Sequence, residues 1–190
     1  MNESVPIVTM QPLERFFRIP GDAFTGLVDF YLYAQVAGKI GAEIGCARGE
    51  SGEIAAQFLG HLYCVDPFGE WFEANEPFFH ERMASIRNVT KVKKESHVAC
   101  HDFADESLDI VYIDASHDYE NVKRDILCWF PKVKMNGWIG GHDYDFVIDA
   151  HKEVVQAVNE ILGIPEMRFV DDSFLFRKTP DLVERVNREC

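Results

Sequence analysis

The chain has 190 residues, a length typical of one folded domain with a modest extension. Hydrophobic residues make up 47% and charged residues 27%, a mixture that excludes wholesale disorder, collagen-like repeats and coiled coils. The 19 Lys and Arg against 32 Asp and Glu give a formal charge of −13, so the surface repels phosphate backbones and anionic headgroups. We therefore predict that the protein binds neither nucleic acid nor membranes.

The five cysteines are scattered along the chain and form no CxxC pair. Cys46, Cys64 and Cys128 lie in apolar runs, which is typical of small core residues, and Cys100 is assigned to packing rather than to nucleophilic chemistry. The first ten residues contain Glu3 and no apolar stretch of the kind found in signal peptides. Reduced thiols and this N-terminus predict a cytoplasmic protein.

Short apolar runs alternate with segments of helical periodicity. The predicted elements, in chain order, are strand 39–46, helix 50–59, strand 61–66, helix 77–88, strand 89–94, strand 108–114, helix 119–133, strand 138–141, helix 151–162, strands 168–171 and 173–178, and a final helix from residue 180. This alternation predicts an α/β fold, a Rossmann-like open and mostly parallel sheet with helices on both faces. Ligands of such sheets bind beyond the carboxyl ends of the strands, so residues just after each strand are the site candidates.

The ends of the first two strands carry the features of a nucleoside site. In the stretch EIGCARGESG, Gly45 and Gly49 permit a tight turn and a close approach of a ligand, and the helix that follows offers free N–H groups. The second strand ends at Asp66, 21 positions beyond Gly45, where a carboxylate can accept both hydroxyls of a ribose. Together these features predict a nucleoside ligand.

The dinucleotide fingerprint GxGxxG is incomplete, because Ala47 occupies the position of its second glycine. Glu43, two residues before Gly45, is also unfavourable beside a pyrophosphate. A carboxylate there suits a ligand that carries an ammonium group and a positive charge, and S-adenosylmethionine (SAM) has both. An NAD-dependent oxidoreductase stays the alternative.

Residues 40–178 resemble class I SAM-dependent methyltransferases, and most closely the small O-methyltransferases related to the catechol and macrocin-type sugar enzymes. The resemblance rests on EIGCARGESG, YCVDPF and the long segment IDASHDYENVKRDILCWFPKVKMNGWIGGHDY. It implies a seventh, antiparallel strand within residues 169–178. It also implies that the cofactor is held at its ammonium, methionine, ribose and adenine groups by Glu43, Gly45, Gly49, Ser51, Asp66, Ser96 and His97.

Four residues that follow the fourth and fifth strands form a chemical cluster: Asp114, His117, His142 and Asp143. In metal-dependent relatives, carboxylates at these strand ends bind Mg²⁺, which implies Asp114 and Asp143 as ligands. His142 stands where macrocin-type relatives carry an acidic residue, so it is predicted as a third ligand or as a general base. Hard carboxylates suit Mg²⁺, Ca²⁺ or Mn²⁺, and an imidazole shifts the metal preference toward Mn²⁺, Fe²⁺ or Zn²⁺, so Mg²⁺ or Mn²⁺ is the predicted metal cofactor. Asp114, His117 and His142 are the predicted catalytic residues, and a metal-free base enzyme and a purely structural cluster stay open.

The predicted function is methyl transfer to a hydroxyl of a small acceptor, because a weakly acidic hydroxyl needs a metal or a base and the cluster offers either. Trp71 and Phe72, in the aromatic segment 67–79, are predicted to cover the adenine or to form a lid over the substrate. Residues 1–38 are predicted to form a helical extension that covers the site or makes a homodimer contact, and residues 39–190 the methyltransferase domain. A degenerate fold that serves as a binding or scaffold module is the second alternative.

Overall fold

The structure is a computed structural model and describes residues 24–69, 74–145 and 148–189. Within them one sheet contains seven strands: β1 (Ile40–Ile44), β2 (His61–Val65), β3 (Val89–Val92), β4 (Leu108–Ile113), β5 (Val133–Gly141), β6 (Met167–Arg168) and β7 (Phe174–Arg177). The order across the sheet is β3-β2-β1-β4-β5-β7-β6. Strands β1 to β5 run parallel, and β7 lies antiparallel between β5 and β6. The predicted Rossmann-like sheet with an antiparallel terminal strand is confirmed.

The described helices are α1 (Thr25–Ala34), α2 (Glu50–Phe58), α3 (Asn75–Met83), α4 (Ser96–Ala99), α5 (Tyr119–Trp129), α6 (Lys152–Ile161) and α7 (Pro180–Asn187). The predicted helix 119–133 is shorter than expected, because a 3₁₀ turn at Phe130–Lys132 follows α5. Pro131 lies in that turn, and a proline cannot donate the backbone hydrogen bond that would continue an α-helix. Strand β5 then begins at Val133, five residues earlier than the pattern predicted.

The helices cover both faces of the sheet, and each face has its own core. One core joins strand residues such as Ile44 and Val111 to Ile126 of α5 and Val158 of α6. The other core includes Ile110, Leu62 and Tyr112 from the strands and the inner faces of α1 and α2. The central strands are therefore buried on both sides, as expected for a parallel sheet.

Helix α1 packs against the second face through an aromatic contact. The ring of Phe30 lies edge-on to Tyr112, with centroids 5.2 Å apart, and a Cβ at Gly140 would stand 2.7 Å from that ring. The other end of α1 is fixed by Trp138, whose Nε1 donates to the carbonyl of Ala34 at 3.0 Å. Residues 1–23 of the predicted extension, and the predicted lid residues Trp71 and Phe72, lie outside the described residues. None of the described helices combines the length and the apolar character that crossing a bilayer requires.

The structure pairs two cysteines that the sequence analysis assigned to reduced thiols. Cys100 and Cys128 are joined by a disulfide, with Cα atoms 6.1 Å apart, so that expectation is wrong for this pair. Cys46 and Cys64 are free and buried, as predicted. The pairing arises because the turn after α4 packs against α5, a contact that sequence spacing cannot show. It removes the thiol argument for a cytoplasmic location.

Candidate functional site

A cavity of about 580 Å³ lies along the carboxyl ends of β3, β2, β1 and β4. It crosses the boundary between β1 and β4, where the strand order reverses and open α/β sheets bind their ligands. Six of the predicted site residues line it, namely Gly45, Asp66, Ser96, His97, Asp114 and His117. The structure therefore brings together at one cavity six residues that were chosen because they follow strands.

The turn after β1 has the shape of a glycine-rich loop. Gly45 has a φ of 85°, and a Cβ there would lie 2.1 Å from the carbonyl oxygen of Asp114, so only glycine lets this turn approach the end of β4. Ala47, which replaces the second glycine of the dinucleotide fingerprint, also adopts a left-handed φ of 42°. The turn thus keeps a left-handed backbone conformation at the position where the dinucleotide fingerprint has its second glycine.

Asp66 holds this turn in place. Its Oδ2 accepts hydrogen bonds from the backbone N–H groups of Cys46 and Ala47, both at 3.0 Å, and its Oδ1 accepts from the N–H of Phe68 at 2.7 Å. A carboxylate oxygen has two acceptor positions, so Oδ1 retains capacity for a further donor such as a hydroxyl. The side chain is thus both a support for the turn and a candidate ligand-binding group.

The other predicted residues of the first motif lie behind the turn rather than in the cavity lining. A Cβ at Gly49, where φ is 81°, would stand 2.8 Å from Cε of Met83, so this glycine lets α2 pack against α3. Glu43 is fully buried and bonded to Ser51, and its Oε1 has no hydrogen-bond partner among the described residues. The structure therefore separates Glu43, Gly49 and Ser51 from the cavity lining.

Burial controls the charge of Glu43. Removal from water raises the pKa of this carboxyl to about 8, although hydrogen bonds from Ser51, Cys46 and Cys64 oppose the shift. The side chain is therefore largely protonated near pH 7. A cation at Oε1 would favour the ionised form instead, which is the condition that an ammonium ligand would create.

We expect the stability of the protein to fall between pH 5.5 and pH 8 because of Glu43. Over this range the folded state retains a proton that the unfolded chain has lost, so the free energy of unfolding decreases as pH rises. Relative to Glu43→Gln, whose side chain does not titrate, the loss should reach about 3 kcal/mol. Denaturant unfolding of both proteins at several pH values measures it, and stability curves that run parallel would contradict the assignment.

The β3 end of the cavity contains a hydrogen-bond network that the sequence did not reveal in full. Ser96 donates through Oγ to Oδ1 of Asp125 at 2.6 Å and accepts from Nε1 of the buried Trp129 at 2.9 Å. Burial raises the pKa of Asp125, and this carboxyl lines the cavity together with Ser96 and His97. Nδ1 of His97 is buried and has no partner among the described residues. The structure therefore adds Asp125 to the predicted residues Ser96 and His97 at this end of the cavity.

A second group of polar residues centres on Asp143, just after β5. Three imidazoles contact its carboxylate: Nε2 of His117 at 2.8 Å, Nδ1 of His142 at 3.0 Å and Nε2 of His151 at 3.2 Å. Asp114 lies at the edge, with Oδ1 at 3.9 Å from Nδ1 of His142. The structure thus brings the four predicted residues together and adds His151, which the sequence analysis assigned only to the start of a helix. We name these five residues the Asp143 cluster.

The charges of the cluster are strongly coupled. Burial alone would raise the pKa of Asp143, but hydrogen bonds from His117 and His142 outweigh it and hold that pKa well below the usual range. Burial opposes the charge on His142, yet its bond to Asp143 and the nearby Asp114 raise its pKa to about 9. Burial raises the pKa of Asp114 to about 6, and the Asp143 charge adds to this shift while His142 opposes it. His142 is consequently a cation near neutral pH, a state that does not suit a general base.

Strained backbone is found at the same edge of the sheet. Asp143, Ala47 and Phe68 have φ values of 63°, 42° and 46°, in the left-handed region that few non-glycine residues adopt. They follow β5, β1 and β2 respectively. Such conformations persist where the surroundings over-determine them, which is typical of binding sites.

A larger cavity, of about 1010 Å³, lies between α2 and α3 and away from the strand ends. Three of its charged side chains pair with one another, since Arg82 donates to Glu53 at 2.7 Å and to Glu50 at 3.2 Å, and the lining contains none of the predicted site residues. We therefore place the functional site at the strand ends, where the smaller cavity meets the Asp143 cluster.

This sheet order, with a cavity over the reversal point and a glycine turn at its centre, defines a class I methyltransferase fold. The profile of a family described as "Methyltransferase domain" matches residues 42–144, more than half of the chain. The chain belongs to that family, and family and fold together support SAM-dependent methyl transfer. A comparison with curated protein sequences gave no significant match.

Several solved structures are similar to this one. An rRNA methylase from Streptococcus thermophilus has 14% identity and a TM-score of 0.58, with 85% of this chain and 99% of that chain covered. SMU.1697c from Streptococcus mutans, solved with S-adenosylhomocysteine (SAH), has 12% identity and a TM-score of 0.58, with 83% and 97% covered. CalS11, a TDP-rhamnose 3'-O-methyltransferase of calicheamicin biosynthesis, has 12% identity and a TM-score of 0.59, with 91% and 87% covered. At these identities the likeness concerns the fold.

Proposed function

We propose that the protein transfers a methyl group from SAM to a hydroxyl of a small acceptor, and that the Asp143 cluster helps to remove the hydroxyl proton. One observation carries the proposal. Asp114 and His117 line both the cofactor-sized cavity and the small cavity beside His142 and Asp143. A ligand that fills the first cavity therefore ends next to the cluster.

The residues of the cavity fit SAM by their chemistry. In this proposal Oδ1 of Asp66 accepts a ribose hydroxyl, Ser96 and His97 contact the adenine, and Gly45 permits the close approach of the methionine part. Oε1 of Glu43, behind the turn, is unpartnered among the described residues, and an ammonium group beside it would favour the ionised form of this carboxyl and so gain a negatively charged partner. SAM, when bound, supplies a methyl group that its sulfonium makes electrophilic.

The acceptor is proposed to be a hydroxyl because the cluster is suited to proton removal. Methyl transfer is an in-line displacement and depends mainly on positioning, whereas a hydroxyl must also lose its proton. The Asp143 carboxylate accepts a hydrogen bond from Nε2 of His117, which raises the pKa of this imidazole, and the neutral ring keeps Nδ1 to accept the hydroxyl proton, an arrangement typical of a general base. The same residues carry donor atoms that would suit a divalent cation, and such a cation would lower the pKa of a coordinated hydroxyl.

A small acceptor is favoured over nucleic acid by the charge of the chain. The formal charge of −13 opposes a phosphate backbone, although two structural neighbours are named as rRNA methylases. A sugar acceptor, as named for CalS11, agrees with both the charge and the cluster. A homodimer contact through the N-terminal extension stays a prediction.

The test is transfer of labelled methyl from SAM to matched acceptors that differ only in carrying a hydroxyl, an amine or a thiol. We expect transfer to catechol or sugar hydroxyls, and slower transfer to the matched amines. Transfer to amines alone would contradict the oxygen assignment. Binding of SAM without transfer to any acceptor would favour the degenerate binding module, and preferential binding of NADH would favour an oxidoreductase.

We expect Asp66→Asn to weaken SAH binding by about 1–3 kcal/mol, the scale of a lost charge-assisted hydrogen bond. In either orientation of the amide, its NH₂ group would also face a backbone N–H that now donates to Asp66, those of Cys46 and Ala47 or that of Phe68, which disturbs the turn. Calorimetric titration measures the affinity, and thermal unfolding shows that the variant is folded. An unchanged SAH affinity in the folded variant would mean that a residue other than Asp66 binds the ribose.

A further inference from the structure

We infer that His117, Asp143 and His151 form a binding site for a borderline divalent transition-metal ion such as Mn²⁺, Co²⁺ or Zn²⁺, rather than for Mg²⁺. The inference deepens the proposed function, because the ion would lie where the acceptor hydroxyl is expected. It departs from the sequence prediction in its ligands, since His151 was not among the candidates.

The three side chains converge from separate parts of the chain. One potential ligand atom from each of His117, Asp143 and His151 lies within 4.8 Å of the other two. His117 follows β4, Asp143 follows β5, and His151 immediately precedes α6. The imidazole rings of His117 and His151 lie edge to face with centroids 5.6 Å apart. Tertiary packing thus directs two imidazoles at one carboxylate.

Asp143 has more cationic and donor neighbours than a structural carboxylate needs. Its side chain is only 9% exposed, yet it contacts three imidazoles. His151 is itself mostly buried, and its Nδ1 has no hydrogen-bond partner among the described residues, so the polar contact of this ring within the described chain is the one with Asp143. Burying an imidazole for one such contact is costly unless the ring serves a further purpose.

The donor set determines the metal class. Two imidazoles and one carboxylate are a recurrent ligand set for zinc and iron sites that leave positions open for water or substrate. Mg²⁺ instead prefers oxygen ligands and retains most of its water. Asp114 and His142 lie beside the three residues and share Asp143 with them, so a second carboxylate is available to balance a divalent charge.

The experiment is a titration of metal-free full-length protein with Co²⁺, followed by visible absorption, with Mg²⁺ as competitor. We expect one equivalent of Co²⁺ to bind with d–d bands and without thiolate charge-transfer absorption, and a tenfold excess of Mg²⁺ to displace little of it. His151→Ala should weaken Co²⁺ binding at least tenfold, and His117→Ala should do the same. His61→Ala is the matched control. His61 is the first residue of β2 and so lies at the amino ends of the parallel strands, whereas the Asp143 cluster lies beyond their carboxyl ends.

Three results would overturn the inference. They are Co²⁺ affinity unchanged in folded His151→Ala and His117→Ala, displacement by an equal concentration of Mg²⁺, and thiolate-to-cobalt absorption. The last would place the ion at the group that contains the two free cysteines of the described chain, Glu43, Cys46 and Cys64. SAH binding to the metal-free protein is measured separately. SAH binding without a cobalt site would reject the metal site and leave the proposed function standing. A cobalt site without SAH binding would support the metal site and reject the proposed function.

Discussion

Replacement of Asp143 by Asn is expected to lower kcat by about 10²–10⁴-fold, the range that correct proton handling contributes to catalysis. The amide loses the negative charge that attracts all three imidazoles, whether they serve as a base or as metal ligands. Affinity for SAH should change less than about threefold, because Asp143 is not among the residues that line the cofactor cavity. Steady-state kinetics and SAH titration of the same preparation measure both quantities.

Asp149→Asn is the matched control for this variant. Asp149 lies on the same segment, its side chain is 90% exposed, and its partner is Lys152 one turn along the chain. We expect wild-type kinetics, since exposed ion pairs of this kind contribute little. Equal losses of SAH affinity and of kcat in Asp143→Asn would show that Asp143 supports the cofactor cavity instead of the chemical step.

Gly45→Ala is expected to destabilise the protein by roughly 3–5 kcal/mol, which is at the upper end for single substitutions. The new Cβ would meet the backbone oxygen of Asp114 at 2.1 Å, and the backbone at Gly45 is already left-handed. Because the clash is with backbone rather than with a flexible side chain, relief requires β1 and β4 to separate at the cavity. We therefore expect SAH binding to be lost as well.

Gly69→Ala is the control for this prediction. No described atom lies within 4 Å of a Cβ built at Gly69. The free energy of unfolding of this variant should therefore lie within about 1 kcal/mol of the wild-type value. Denaturant unfolding at one pH compares the three proteins. Similar stabilities for Gly45→Ala and Gly69→Ala would mean that the close approach of β1 and β4 is not a constraint.

Much of the fold follows from local sequence patterns. The apolar run at Leu108–Ile113 and the alternation of strands with periodic helices predict the parallel sheet because both faces of its central strands are buried. The start of β5 was missed because its first half contains Lys134, Met135 and Asn136, which are polar or exposed in the structure. That segment extends the strand beyond the part that the core covers, so its residues carry no burial signal.

The site was predictable where a residue directly follows a strand, and less so elsewhere. Asp125 and His151 were missed because helix packing, rather than a strand end, delivers them to the site. Glu43 shows a different difficulty. Side chains alternate along a strand, so Ile44 and Glu43 face opposite sides of the sheet, and the motif alone does not indicate which side holds the cofactor.

The most direct test of SAM-dependent methyl transfer at the strand-end cavity is calorimetric titration of the metal-free protein with SAH, with NADH as the competing ligand. We predict one equivalent of SAH bound with micromolar affinity, weakened by Asp66→Asn and little changed by Asp143→Asn. NADH should give no comparable heat. Absence of SAH binding by the folded protein, or binding that Asp66→Asn leaves unchanged while Asp143→Asn abolishes it, would contradict the account.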